Sequence, residues 1–95
     1  MARKKNPLDE FLIQVGDNIR RERIRQGFTL EELGRDIELD KSNMHRIEMG
    51  RNITLVTLIK IAALLDVSPA SLLPSDLSIA AEDVERYVKQ KKSSL

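Results

Sequence analysis

Between positions 41 and 54 the chain places Lys41, Ser42, Asn43, His45, Arg46, Arg51, Asn52 and Thr54. A guanidinium fork, an ammonium group, a carboxamide and several hydroxyls are the parts of a recognition surface, able to pair with acceptors and anions. The parts of a reaction centre are missing. The sequence has no glycine loop that could cradle a phosphate, no nucleophile paired with a base and no cluster at metal-ligand spacing. His45 is the only histidine and there is no cysteine. A metal would have to rely on scattered carboxylates such as Asp36 and Glu38, which fit a solvated helix end better. The chain is therefore read as a non-enzyme with no metal site, no cofactor and no evident small-molecule ligand.

These groups need a scaffold, and the helix starts show where it lies. Phe28-Thr29 sets an apolar residue before a capping hydroxyl, with Glu32 and Leu33 three and four positions on, which predicts a capping box and a hydrophobic staple. The same frame recurs at Leu39-Asp40 with Met44, at Ile53-Thr54 with Leu58, and at Val67-Ser68 with Leu72, where Pro69 takes the favoured first helical position. A longer first helix carries Leu8, Leu12, Val15 and Ile19 on one stripe; Gly16 weakens its middle and Gly27 stops it, as Gly50 stops the third helix. Near the end of the chain Ala80, Val84, Tyr87 and Val88 share a stripe, and the lysines that follow complement the C-terminal end of that helix. The expected organisation is a basic, flexible segment 1–5, a domain 6–74 with helices about 7–26, 30–37, 41–49, 55–65 and 69–73, and a region 75–95 made of a linker, a helix about 79–91 and a tail. No strand-like alternation or internal repeat interrupts this all-α reading.

Composition agrees with a small folded domain: 41% of the 95 residues are hydrophobic and 33% charged. No apolar run reaches the length of a membrane span and the N-terminus lacks a signal-peptide core, so a cytoplasmic protein with no membrane partner is expected. The net charge of +1 says little about partners, but its distribution says more. Residues 1–27 hold seven basic and four acidic side chains, residues 28–40 one and five, and residues 41–60 four and one. Projected at about 100° per residue, Met44 and Ile47 mark the buried side of the third helix, with Glu48 at its margin. Ser42, His45, Arg46 and Met49 fall opposite, flanked by Lys41 and Asn43. So short a helix needs its predecessor to hold it. Two short helices joined by a tight turn, the second presenting a polar, net-basic face, have the geometry that enters a DNA major groove.

The stretches 19-IRRERIRQGFTLEELG-34, 39-LDKSNMHRIEMGRN-52 and 54-TLVTLIKIAALLDVSPASLL-73 resemble, in order and spacing, the lambda-repressor-like (Xre/Cro-type) helix-turn-helix regulators. The Arg-Asn-Ile-Thr that follows Gly50 is similar to the controller proteins of restriction–modification systems. The resemblance implies a five-helix DNA-binding domain, here with an additional C-terminal helix. It implies base contacts from Lys41, Ser42 and Arg46 with Asn43 and His45 assisting: Arg46 could fork onto guanine and Asn43 pair with adenine. Phosphate contacts would come from Thr29, Arg51, Asn52 and the start of helix four at Thr54. Arg23 and Glu48 occupy the family's positions for a structural ion pair. Three residues depart from the pattern. Leu30 stands where relatives carry a phosphate-binding glutamine, Glu38 replaces a turn glycine, and Glu22 replaces an apolar residue.

Between Leu55 and Leu65 only Thr57 and Lys60 are strongly polar, and a helix apolar on nearly all sides is covered on more than one of them. One recognition helix also reads few base pairs. A homodimer through Leu55, Ile59, Leu65, Leu72 and Leu73, extended by Val84, Tyr87 and Val88, is therefore expected. The leading function is a sequence-specific double-stranded DNA-binding transcriptional regulator, a repressor or autoregulator at a palindrome-like operator, with RNA polymerase or another protein as a candidate additional partner. The alternative is an interaction module of the same fold, an antitoxin or accessory subunit with little DNA affinity.

Overall fold

Thr29, Asp40, Thr54 and Ser68 each accept a backbone N–H with the side-chain oxygen, and a helix starts at each of them. At Thr29 the exchange is mutual: Oγ1 accepts from the Glu32 amide at 3.0 Å, and Glu32 Oε1 accepts from the Thr29 amide at 2.8 Å. The computed structural model describes residues 6–75 and 79–93, with side chains described up to position 90. Its helices are α1 (Pro7–Arg25), α2 (Leu30–Arg35), α3 (Lys41–Glu48), α4 (Leu55–Leu64) and α5 (Ala81–Ser93), with a 3₁₀ turn at Pro69–Leu72 between the last two. No strand occurs among the described residues. The basic segment 1–5 and part of the linker, 76–78, lie outside the described residues, as do the tail positions 94–95.

Helix stops follow one pattern. At Gly27, Glu38, Gly50 and Asp66 the backbone turns left-handed, with φ of 80°, 58°, 107° and 54°. After each, the next amide bonds back to a carbonyl five residues earlier: Phe28 to Arg23, Leu39 to Gly34, Arg51 to Arg46 and Val67 to Ala62. Glu38 does this without the glycine the turn favours. The α2 helix ends two residues before the expected 37, because the Ile37 and Glu38 amides bond only three residues back, to Gly34 and Arg35, and tighten its last turn. The segment 69–73 is a 3₁₀ turn and not an α-helical one; Ser71 and Leu73 bond to residues three before them, and Leu73 is already extended. The last helix is shifted about two residues towards the C-terminus, because Asp83 Oδ2 accepts from the Ala80 amide and makes residue 80 the boundary.

The core is Val15 and Ile19 of α1, Leu33 of α2, Met44 and Ile47 of α3, Leu58, Ile61 and Ala62 of α4, and Leu65 and Leu72. Two of these correct the expected dimer surface. Leu65 is fully buried and Leu72 is 2% exposed, so neither has surface to offer a partner. Leu65 follows Ile61 by four and Leu58 by seven and so shares their inward stripe. Leu72 packs under α1, where Asn18 Nδ2 donates to its carbonyl at 3.1 Å. Gly16 is also more than a weak point in α1: a Cβ there would stand 2.5 Å from the carbonyl oxygens of Ile47 and Glu48, so its absence lets α1 and α3 meet backbone to backbone. At the other end of the bundle, buried Asn6 caps α1 through Oδ1 and donates from Nδ2 to the Asp83 carbonyl at 3.0 Å, fastening α5 to the start of α1.

Candidate nucleic-acid interface

The α3 helix is held from behind. Met44 and Ile47 are buried in the core, and Glu48 has 2% of its side chain exposed. A buried carboxylate is costly unless paired. Arg23 pairs it twice, Nε with Oε2 at 2.6 Å and Nη2 with Oε1 at 3.1 Å, while Arg23 Nη1 donates to the Phe28 carbonyl at 2.8 Å. One guanidinium thus locks α3, the end of α1 and the α1–α2 loop together, a geometry that only the planar arginine fork supplies.

With that side fixed, α3 turns Lys41, Ser42, His45 and Arg46 to solvent, and Met49 beyond its end is 66% exposed. Lys41 Nζ lies 4.0 Å from Glu31 Oε1, an exposed pair with little hold on the lysine. His45 and Met49 share a groove with Gln14, Asp17 and Arg20 of α1. Arg20 is exposed, and only the α1–α3 crossing brings it to the groove of the histidine.

On the other flank Arg51 and Asn52 are exposed on the α3–α4 loop, next to Thr54 at the start of α4. These three line a second groove with Leu39, Asn43, Ile47, Ile53 and Thr57. Thr54 Oγ1 accepts from the Thr57 amide at 3.1 Å and donates to Thr57 Oγ1 at 2.9 Å, so its hydroxyl is engaged in the free protein. That cap takes the Thr57 amide, and the amides of Leu55 and Val56 before it have no acceptor within the helix, as at any helix start. Asn43 is half-buried, and its Oδ1 accepts from Arg51 Nη1 at 3.0 Å and from Arg46 Nη1 at 3.4 Å.

Thr29, at the start of α2, lines neither groove, and its surroundings are acidic. Hydrogen bonding from the Thr29 amide, and then from its side chain, lowers the Glu32 carboxyl from its ordinary value and so favours its charged form. Glu31 is exposed beside it, and Leu30 packs against the core with no hydrogen-bonding group to offer. The loop of α3 and α4 thus presents cations and free amides, whereas the start of α2 presents carboxylates.

A different surface lies on α4, where Leu55, Val56 and Ile59 are 73%, 61% and 54% exposed. Val56, which the expected dimer surface does not include, lies by helical spacing on the same outer arc as Leu55 and Ile59. Leu73 is 39% exposed; Val84 and Val88 of α5 are 43% exposed, while Tyr87 is half-buried beside Leu8, Phe11 and Leu12 of α1. No helix among the described residues is long and apolar enough to cross a membrane.

The profile of the helix-turn-helix family matches residues 19–72. Among solved structures the chain is similar to the restriction-modification controller protein C.AhdI from Aeromonas hydrophila, at 35% identity over 65% of this chain and 96% of that one, with a TM-score of 0.62. It is similar also to the DNA-binding domain of BldD, at 26% identity over 70% and 97%, TM-score 0.63. A third similar structure is the hypothetical transcription factor NHTF from Neisseria, at 27% identity over 95% and 97%, TM-score 0.61. No curated protein matches the chain.

Proposed function

The chain belongs to the Xre/lambda-repressor-like helix-turn-helix family of DNA-binding transcription regulators, and from that premise we propose that it is a repressor or autoregulator that binds a palindrome-like operator as a homodimer. The observation that carries this reading is the outer face of α3: Lys41, Ser42, His45 and Arg46 are all exposed on a helix whose other side is locked by the Arg23–Glu48 pair. Lys41, Ser42 and Arg46, with His45 beside them, address base edges. Arg51, Asn52 and the first amides of α4 at Thr54 hold phosphate. Thr29 contributes least, since a phosphate there meets Glu31 and Glu32. The controller role of the similar C.AhdI protein supports the regulatory reading.

Dimerisation rests on α4. Leu55, Val56 and Ile59 with Leu73 form the surface, and a two-fold pair of α3 helices would read half-sites about 34 Å apart. The test is selection from a random double-stranded DNA pool, sequenced and repeated at raised salt. A palindrome-like site whose affinity falls steeply with salt is expected, because each phosphate held releases counterions. Absence of any enrichment at low salt overturns the reading and turns the search to a protein partner, as for an antitoxin or accessory subunit.

A further inference from the structure

Asn43 stands inside the reading surface with its acceptor already in use. Its Oδ1 takes N–H groups from Arg51 and Arg46, at 3.0 and 3.4 Å, and a carbonyl oxygen has two lone pairs to give. Pairing with adenine requires that same oxygen to accept from the base N6 amino group while Nδ2 donates to N7. An adenine would have to displace both arginines. The side chain is also half-buried in the groove bounded by Leu39, Ile47 and Ile53, which restricts how far it can swing towards a base.

The two arginines belong to different parts of the interface. Arg46 lies on the exposed face of α3 and Arg51 on the loop beyond its end. Two like charges on long side chains would otherwise drift apart, and each would lose rotamer freedom on docking. An acceptor shared between them reduces both costs. We infer that Asn43 is a positioning residue that holds Arg46 and Arg51 at a fixed spacing, so that base reading by the first and phosphate binding by the second occur together, and that it does not itself read a base. This rests on the DNA-reading function proposed above.

The experiment repeats the pool selection with Asn43→Ala, Asn43→Asp, Arg46→Ala and the double variant Asn43→Ala/Arg46→Ala. Asn43→Ala is expected to relax the preference at the same base pair that Arg46→Ala relaxes, by about five- to tenfold, within the discrimination one bidentate arginine supplies. In the double variant it should add little at that pair. Asn43→Asp keeps the acceptor, so it should retain the base preference while its negative charge weakens binding uniformly. Thermal stability should not move, because the contact from Asp40 goes to the Asn43 backbone amide and not to its side chain. Relaxation at a separate A·T pair, independent of Arg46, would make Asn43 a direct reader and overturn the inference, as would an Asn43→Ala protein that selects the wild-type site at wild-type affinity. A wild-type chain that enriches no site overturns the DNA-reading function itself, and this inference with it, before any variant is compared.

Discussion

The α3 and α4 helices each bury one side in the same core, but their outer sides have opposite chemistry. The outer side of α3 carries Lys41, Ser42, His45 and Arg46, which water solvates without cost. The outer side of α4 carries Leu55, Val56 and Ile59, each more than half exposed. Full burial of such side chains is worth roughly 1.5–3 kcal/mol each, and much of that is forgone by the isolated protomer. Neither face is needed to hold the bundle together, so the fold leaves both available for partners of matching chemistry: an anionic, hydrogen-bonding one for α3 and an apolar one for α4. The difference also separates two ways of losing function, through misplaced helices or through an altered face on intact ones.

The largest expected effect removes both faces together. Glu48→Ala strands Arg23 and should destabilise the fold by about 3–5 kcal/mol, measured by denaturant unfolding. If the midpoint hardly changes, the locked-helix account of α3 fails. Ile59→Lys should act on the α4 face alone. The protomer should keep its stability, its mass in solution should stay monomeric where the proposed wild-type dimer forms, and operator affinity should fall by about 10²-fold as the linked second half-site is lost. Unchanged DNA affinity in a demonstrably monomeric variant would detach α4 from the binding function. Arg46→Ala should alter only the α3 face: discrimination at one base pair drops by about 1–3 kcal/mol in a selected-site profile, with melting temperature and mass unchanged. The smallest effect belongs to the turn that sets the angle between the helices. Glu38→Gly should raise stability by about 0.5–1 kcal/mol, since Glu38 sits at φ 58° where glycine has no Cβ penalty, and site preference should stay the same. A loss of stability would mean that the Glu38 side chain stabilises the turn in some other way.

Much of this molecule is legible locally. A capping side chain acts on an amide two or three residues away, so Thr29, Asp40, Thr54 and Ser68 announce their helices without any knowledge of the fold. The inward stripe of α3 follows in the same way from spacing alone. Where local signals mislead, a distant part of the chain has intervened. Gly16 reads as a defect in α1 until the backbone of α3 arrives against it. Asn43 has the right chemistry for adenine until Arg51, eight residues on, folds back to its oxygen. Leu65 and Leu72 look like candidates for an interface because the sequence shows that a leucine is present but not which side of the bundle closes over it.

The sequence by itself therefore determined an all-helical domain, the four capped starts at Thr29, Asp40, Thr54 and Ser68, the glycine stops at Gly27 and Gly50, and the polar stripe of the third helix, because capping, periodicity and turn chemistry act within a few residues. It carried the Arg23–Glu48 pairing only through the family's pattern, since 25 positions separate the two. The tertiary structure decided which apolar residues are core and which are surface, which acceptors are already engaged, and that α5 is fastened to the start of α1 by Asn6. Burial and hydrogen-bond occupancy depend on what the rest of the chain brings to a site, and that is known only once the helices have packed.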